Sequence, residues 1–284
     1  MSTKKVDDKQ KAAVLAYLNI VEATPTLPFL EQLIAAYCRT VPWESAFRIV
    51  RRAETACMEL VDTAVTANCP RWPEQFWQDA INRGGGGTCF ESNYAFFALL
   101  LSLGYDGYLT INNMGESIGC HTAIIILLDG QKWLADAGLP ICVPLPISNR
   151  GVIHRSSPFL HYIIRPNGRS RYQIERRPHP RQIAFTLIDT PVDDATYRAA
   201  TAADYGEDSL FLDVVIVNKI IHNQAWRFNM AEWPWRLNRF EWGQRFDTEL
   251  EGDAATAVAK HFGLDTAVVQ QAFALTQDNY LMER

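Results

Sequence analysis

Over residues 7–18 and again over 28–37, apolar positions recur at three- and four-residue spacing, the period of a helix that turns one face to a core. Pro25 and Pro28 separate the two, and Pro42, which restricts the residue before it, follows as a break. The helical spacing returns over 51–65 and 73–81, interrupted by Cys69-Pro70-Arg71-Trp72-Pro73. A longer apolar run, Tyr94-Ala95-Phe96-Phe97-Ala98-Leu99-Leu100-Leu101, is closed by Gly104, a residue suited to the left-handed turn that ends a helix. The chain as far as residue 105 reads as a helical bundle.

Beyond Gly104 the period falls to two. β-branched and aromatic residues over 108–111 and 121–128 predict strands, Asp129-Gly130 predicts a two-residue hairpin turn, and 131–136 is the return strand. With that loop Leu128 faces Gln131, Ile126 faces Trp133 and Ala123 faces Asp136. His121 and Asp136 then lie diagonally on one face at about 7–8 Å, within reach of a carboxylate–imidazole hydrogen bond. Asp136 can equally belong to the turn ahead of Gly138, with His121 merely starting a strand. A second hairpin is predicted from 159–165 and 169–175 around Pro166-Asn167-Gly168, and another strand over 183–188, which together make an antiparallel sheet or small barrel. A helix over 193–203, strands over 210–217 and 225–228, and helices over 253–262 and 265–275 with Gly263 between them complete the chain.

A chain of 284 residues, 48% hydrophobic, can bury a substantial core and divide into two or three subdomains. The net charge of −5 comes from interspersed acids and bases and points to no nucleic-acid partner. Trp226, Trp233, Trp235 and Trp242 do interleave with Arg227, Arg236, Arg239 and Arg245, but Glu232, Glu241 and Asp247 among them favour packing or an aromatic pocket wall over base stacking. The polar start, Met1-Ser2-Thr3-Lys4-Lys5, and the lack of eighteen uninterrupted apolar residues lead us to expect a soluble, cytoplasmic protein without membrane contact. Cysteines at 38, 57, 69, 89, 120 and 142 form no Cys-x-x-Cys pair and are expected to be reduced thiols. The six histidines show no metal-ligand spacing, and His154, His161 and His179 read as surface or hydrogen-bonded residues; no metal is expected.

The chemistry concentrates in Arg83-Gly84-Gly85-Gly86-Gly87-Thr88-Cys89-Phe90-Glu91-Ser92-Asn93. Four glycines let the backbone turn sharply and approach a bound group, and Thr88 with Glu91 forms the Thr-x-x-Glu pattern of a helix capping box. Cys89 then falls in the first turn of a helix, where free amides and the helix dipole favour the nucleophilic thiolate. A free cysteine is otherwise a small buried hydrophobe, and a glycine run a linker, but a linker does not usually run straight into a capped apolar helix. Cys89, His121 and Asp136 have the parts of a Cys-His-Asp triad: nucleophile, proton carrier, and the carboxylate that fixes the imidazole tautomer.

At these residues the chain resembles the arylamine N-acetyltransferase family. The likeness rests on Arg83-Gly84-Gly85, Cys89-Phe90-Glu91 and Asn93, a helix ending Leu103-Gly104-Tyr105, and fourteen residues between His121 and Asp136-Ala137-Gly138. Pro42-Trp43-Glu44-Ser45 is similar to the family's Pro-Phe-Glu-Asn, and Ser209-Leu210-Phe211 to its Ser-x-Phe. The resemblance implies an α+β, papain-like fold: a helical bundle with the cysteine over 1–105, an antiparallel β-barrel with His121 and Asp136 over 106–205, and an α/β lid over 206–284. It implies acetyl transfer from acetyl-CoA through Cys89 to an arylamine or hydrazine, with Ser117 and Ser209 near the cofactor and a buried Glu44–Arg83 ion pair beneath the glycines. Gly86-Gly87-Thr88 stands where the family has one residue, and Pro140 where it often has glycine. An amide synthase with a carrier-bound donor, a transglutaminase-like enzyme or cysteine hydrolase, and a non-catalytic binding protein are the alternatives.

Overall fold

The computed structural model describes residues 3–58, 63–206, 209–241 and 243–277, with 56–58 and 63–65 described by backbone alone. Along the chain come α1 (Asp8–Leu18), α2 (Leu27–Thr40), β1 (Trp43–Glu44), α3 (Ala46–Met58), a 3-10 helix (Thr63–Asn68), α4 (Pro73–Arg83) and α5 (Cys89–Ser102). Eight strands follow: β2 (Asp106–Met114), β3 (Ser117–Leu128), β4 (Gln131–Asp136), β5 (Ile141–Ile147), β6 (Ile153–Ser156), β7 (His161–Pro166), β8 (Arg171–Arg177) and β9 (Ile183–Ile188). The chain continues through α6 (Asp194–Ala203), β10 (Ile216–Ile221), β11 (Gln224–Asn229), β12 (Arg236–Glu241), β13 (Gln244–Glu249), α7 (Ala254–Phe262) and α8 (Thr266–Thr276). These elements form two compact units, Met1–Thr40 with Cys89–Tyr197 and Val41–Thr88 with Arg198–Arg284, each assembled from two separate stretches of chain.

In the first unit β2 to β9 form one antiparallel sheet in the order β5-β4-β3-β2-β9-β8-β7-β6, and its edge strands approach each other to give a nearly closed barrel. The hairpin register is the expected one, Leu128 opposite Gln131 and Ile126 opposite Trp133, with Asp129 and Gly130 both at positive φ as a tight turn requires. Ala123, Ile125, Leu134, Ile164, Ile174 and Phe185 fill the core. Helix α5 packs on β2 and β3 and is buried from Cys89 to Leu100, which accounts for its being apolar nearly all round. Helix α2 covers β5, a strand the sequence did not announce because it carries Pro144 and Pro146; an edge strand tolerates proline, since part of its backbone lies outside the ladder.

The second unit holds the antiparallel sheet β1-β10-β11-β12-β13, with Phe47, Val217, Phe228, Val258, Phe262 and Phe273 in its core. Pairing of β10 begins at Ile216, not at 210 as expected, and Phe211 sits in the left-handed region at φ 65°. The expected helix over 51–65 is α3 followed by the 3-10 helix, and 59–62 lie outside the described residues. The tryptophan–arginine stretch became β11 to β13. Trp226 meets His261 edge-on at 4.4 Å and Trp235 meets Phe273 at 5.4 Å, while Arg227 and Arg245 pair with Glu232; Trp242 lies outside the described residues. Among the described residues no helix is long and apolar enough to cross a membrane.

Candidate active site

Cys89 is the first residue of α5 and is 8% exposed. The capping box expected in front of it is absent, because Thr88 Oγ1 is buried and makes no hydrogen bond. The cysteine is instead held by the barrel. Its carbonyl accepts a hydrogen bond from Thr122 Oγ1 at 3.0 Å, and its Sγ lies 3.6 Å from the carbonyl oxygen of Cys120, so the residues flanking His121 on β3 both touch it. Gly138, at the turn after β4, packs on the same residue: a Cβ built there would stand 2.4 Å from Cys89 Cα. Only glycine allows that approach.

His121 is 2% exposed, Asp136 is fully buried, and His121 Nε2 lies 2.7 Å from Asp136 Oδ2. The diagonal derived from the hairpin register is therefore a hydrogen bond. The imidazole also packs on Phe185 at 4.5 Å between ring centres. Asp136 Oδ1 faces its own turn, accepting from Gly138 N at 3.0 Å and Leu139 N at 2.9 Å, and also from Asn93 Nδ2 at 3.1 Å. Turn residue and histidine partner, opposed as alternatives in the sequence, are two functions of one carboxylate.

Sequence reasoning assigned no task to Asn93, Thr122 or Tyr197. Thr122 Oγ1 is within 3.0 Å of the Tyr197 hydroxyl, which also lies 2.9 Å from Phe90 O, and burial pushes the Tyr197 phenol well above its ordinary range. Asn93 carried a signal in its place four residues after the cysteine; Tyr197 carried none. Ser117 sits exposed at the outer end of the β2–β3 hairpin, and Ser209 Oγ donates to Ala203 O at 3.3 Å within the second unit. Among the described residues no group of three or more His, Cys, Asp or Glu is placed to hold a metal ion.

The glycine run belongs to the second unit and is packed by protein. A Cβ on Gly86 would stand 1.8 Å from Pro42 O; Gly86 N donates to Glu44 Oε1 at 3.2 Å, and Gly86 O accepts from Arg71 Nη2 at 2.6 Å. The expected Glu44–Arg83 ion pair is not formed. Arg83 is 44% exposed and bonds Asp265 at 3.0 Å, because it ends α4 on its outer side, and the buried arginine against the glycines is Arg71.

A helix-borne thiol packed against a nearly closed antiparallel barrel is the papain-like architecture, and several solved enzymes share it. The arylamine N-acetyltransferase of Mycobacterium abscessus superposes with a TM-score of 0.74 at 19% identity over 93% of this chain and 95% of that one. That of Mycobacterium marinum in complex with CoA gives 0.75 at 17% over 94% and 97%, and that of Salmonella typhimurium 0.74 at 15% over 95% and 99%. No curated protein sequence matches the chain. A family model described as N-acetyltransferase matches residues 26–270. The chain belongs to the arylamine N-acetyltransferase family and is an acyltransferase.

Proposed function

We propose that the protein moves an acetyl or other short acyl group from a CoA thioester to an arylamine-like amine through a thioester on Cys89. The observation that carries this reading is the buried 2.7 Å contact between His121 Nε2 and Asp136 Oδ2, on a strand whose neighbouring residues grip Cys89. With Nε2–H given to the carboxylate, Nδ1 is the bare nitrogen of the ring. It takes the proton of the Cys89 thiol while Sγ bonds to the acyl carbon and the bond from that carbon to the CoA sulfur breaks. The CoA thiolate leaves with that proton. The amine nitrogen then bonds to the acyl carbon, the bond from that carbon to Cys89 Sγ breaks, and His121 carries the amine proton to Sγ.

Family membership supports the donor, as does the CoA bound to the Mycobacterium marinum relative. Ser117 and Ser209 are assigned to the CoA moiety on the family likeness alone. The cytoplasm is the proposed compartment: the scattered cysteines form no Cys-x-x-Cys pair, and the described ones are free thiols, which suits a reducing environment.

The test is intact-mass analysis after mixing the protein with acetyl-CoA. One acetyl group should appear, map to Cys89, and leave when an arylamine is added. CoA released at the same rate with and without amine would replace this reading by hydrolysis, and acetylation that persists in Cys89→Ala would remove the nucleophile.

A further inference from the structure

Asn93 lies one helical turn beyond Cys89 on α5 and is fully buried. Its Oδ1 faces two backbone donors, Ala137 N at 2.8 Å and Gly138 N at 3.2 Å. Those donors fix the amide, so its NH2 group points the other way. There Nδ2 meets Thr122 O at 2.7 Å, Asp136 Oδ1 at 3.1 Å and Thr122 Oγ1 at 3.2 Å. One side chain thus joins the helix of the cysteine, the strand residue after His121, and the turn that presents Asp136.

We propose that Asn93 is a positioning residue of the acyl transfer, orienting the Asp136 carboxylate toward His121 and registering both against the helix that starts at Cys89. The proposal rests on the Cys89–His121–Asp136 reading above. A carboxylate can rotate about its Cβ–Cγ bond, and whichever donors hold one oxygen decide where the other points. Gly138 N and Leu139 N hold Oδ1, but they sit two and three residues after Asp136 and move with it. Among the described residues Asn93 is the donor to Asp136 that comes from the nucleophile's own helix. Its bond to Thr122 O ties the β3 residue next to His121 to that same helix. Loss of the amide leaves each triad member present and frees their mutual orientation. The ionisable groups around it are Asp136 on β4, His121 on β3, Cys89 on α5 and, through Thr122, Tyr197 on α6.

The test compares the full chain with Asn93→Ala and Asn93→Asp in three measurements: thermal unfolding, kcat and KM for acetyl-CoA with an arylamine, and the pH profile of iodoacetamide alkylation at Cys89. Asn93→Asp keeps the acceptor for Ala137 N and Gly138 N but aims an oxygen at Asp136 Oδ1, where two carboxylates must share a proton. Both variants should lower kcat by about 10- to 100-fold, the worth of one hydrogen bond to a charged group, with KM nearly unchanged and the alkylation profile displaced. A folded variant with the wild-type kcat and alkylation profile overturns the proposal, as does a change confined to KM. If neither variant folds, Asn93 is a structural residue and the proposal is likewise lost. Acetyl transfer that survives in Cys89→Ala would remove the triad reading itself, whatever Asn93 does.

Discussion

Asp136 gives its Oδ2 to His121 Nε2 at 2.7 Å and turns Oδ1 into its own loop, so its two oxygens are not interchangeable. One oxygen is an imidazole partner; the other closes the turn whose Gly138 packs on Cys89. The same residue therefore links the acid–base chemistry proposed for the site to the packing that brings β4 up to α5. Substitutions at the turn and at the carboxylate separate those two tasks.

Asp136→Asn should fold and fail to turn over. The amide must aim its carbonyl at Gly138 N and Leu139 N, which leaves NH2 facing His121 Nε2. The imidazole then accepts at Nε2 and carries its proton on Nδ1, the nitrogen the mechanism needs bare. By analogy with the same change in serine-protease triads, kcat should drop about 10⁴-fold, with little movement of the unfolding midpoint. Steady-state kinetics decide the matter; activity within an order of magnitude of wild type would rule out the tautomer argument.

Gly138→Ala places a methyl group 2.4 Å from Cys89 Cα and 2.7 Å from Asn93 Nδ2. The first is backbone and the second is held by hydrogen bonds to Thr122 and Asp136, so the turn must back away from the helix. Overpacking of this kind costs about 1–3 kcal/mol, and the accompanying shift should lower acyl transfer more than the stability loss alone would. Urea unfolding and the rate of Cys89 acetylation, measured together, test this; wild-type values for both would show that the contact yields freely.

Arg71→Ala and Arg83→Ala should differ sharply. Arg71 is 3% exposed, donates to Gly86 O at 2.6 Å and pairs with the half-buried Asp79 at 3.3 Å, and its loss leaves the buried Gly86 carbonyl without that donor, which costs about 1–3 kcal/mol. Arg83, 44% exposed and paired with Asp265, is a surface bridge of about 0.2–1 kcal/mol. Chemical denaturation of the two variants should rank them in that order, and a reversed ranking would return the buried role to Arg83.

Local patterns that answer to local physics were readable in the sequence. The Asp129-Gly130 turn dictates its own register, and the register carried His121 to Asp136. Aspartates before α1, α7 and α8 cap those helices as short-range chemistry predicts. What escaped detection depends on partners distant in the chain. The prolines of β5 are tolerated because that strand lies at a sheet edge, the nearer of Arg83's two carboxylate partners, Asp265 at 3.0 Å, is 182 residues away, and Thr88 has the right spacing for a cap its side chain does not make. Asn93 stood in the motif, but its five contacts exist only once β3 and the β4 turn have closed on α5.

His261 should make the protein less stable toward acid through a group far along the chain from Cys89, His121 and Asp136. Its ring is half-buried against Trp226 at 4.4 Å and Phe262 at 4.9 Å, its Nε2 is buried without a hydrogen-bond partner, and burial lowers its pKa below the ordinary 6.5. Charging the ring is thus harder in the folded chain than in the unfolded one. Above the unfolded value neither state takes the proton and His261 adds no pH dependence. As pH falls through that value the unfolded state protonates first, so stability declines until the pH reaches the lower folded pKa and the slope vanishes. His261→Phe keeps an aromatic ring and removes the titration. Unfolding free energies of the two proteins, compared from about pH 7.5 down to about pH 5, should diverge below the ordinary histidine range, with the variant losing less. Parallel curves across that interval would mean that the ring protonates as easily folded as unfolded.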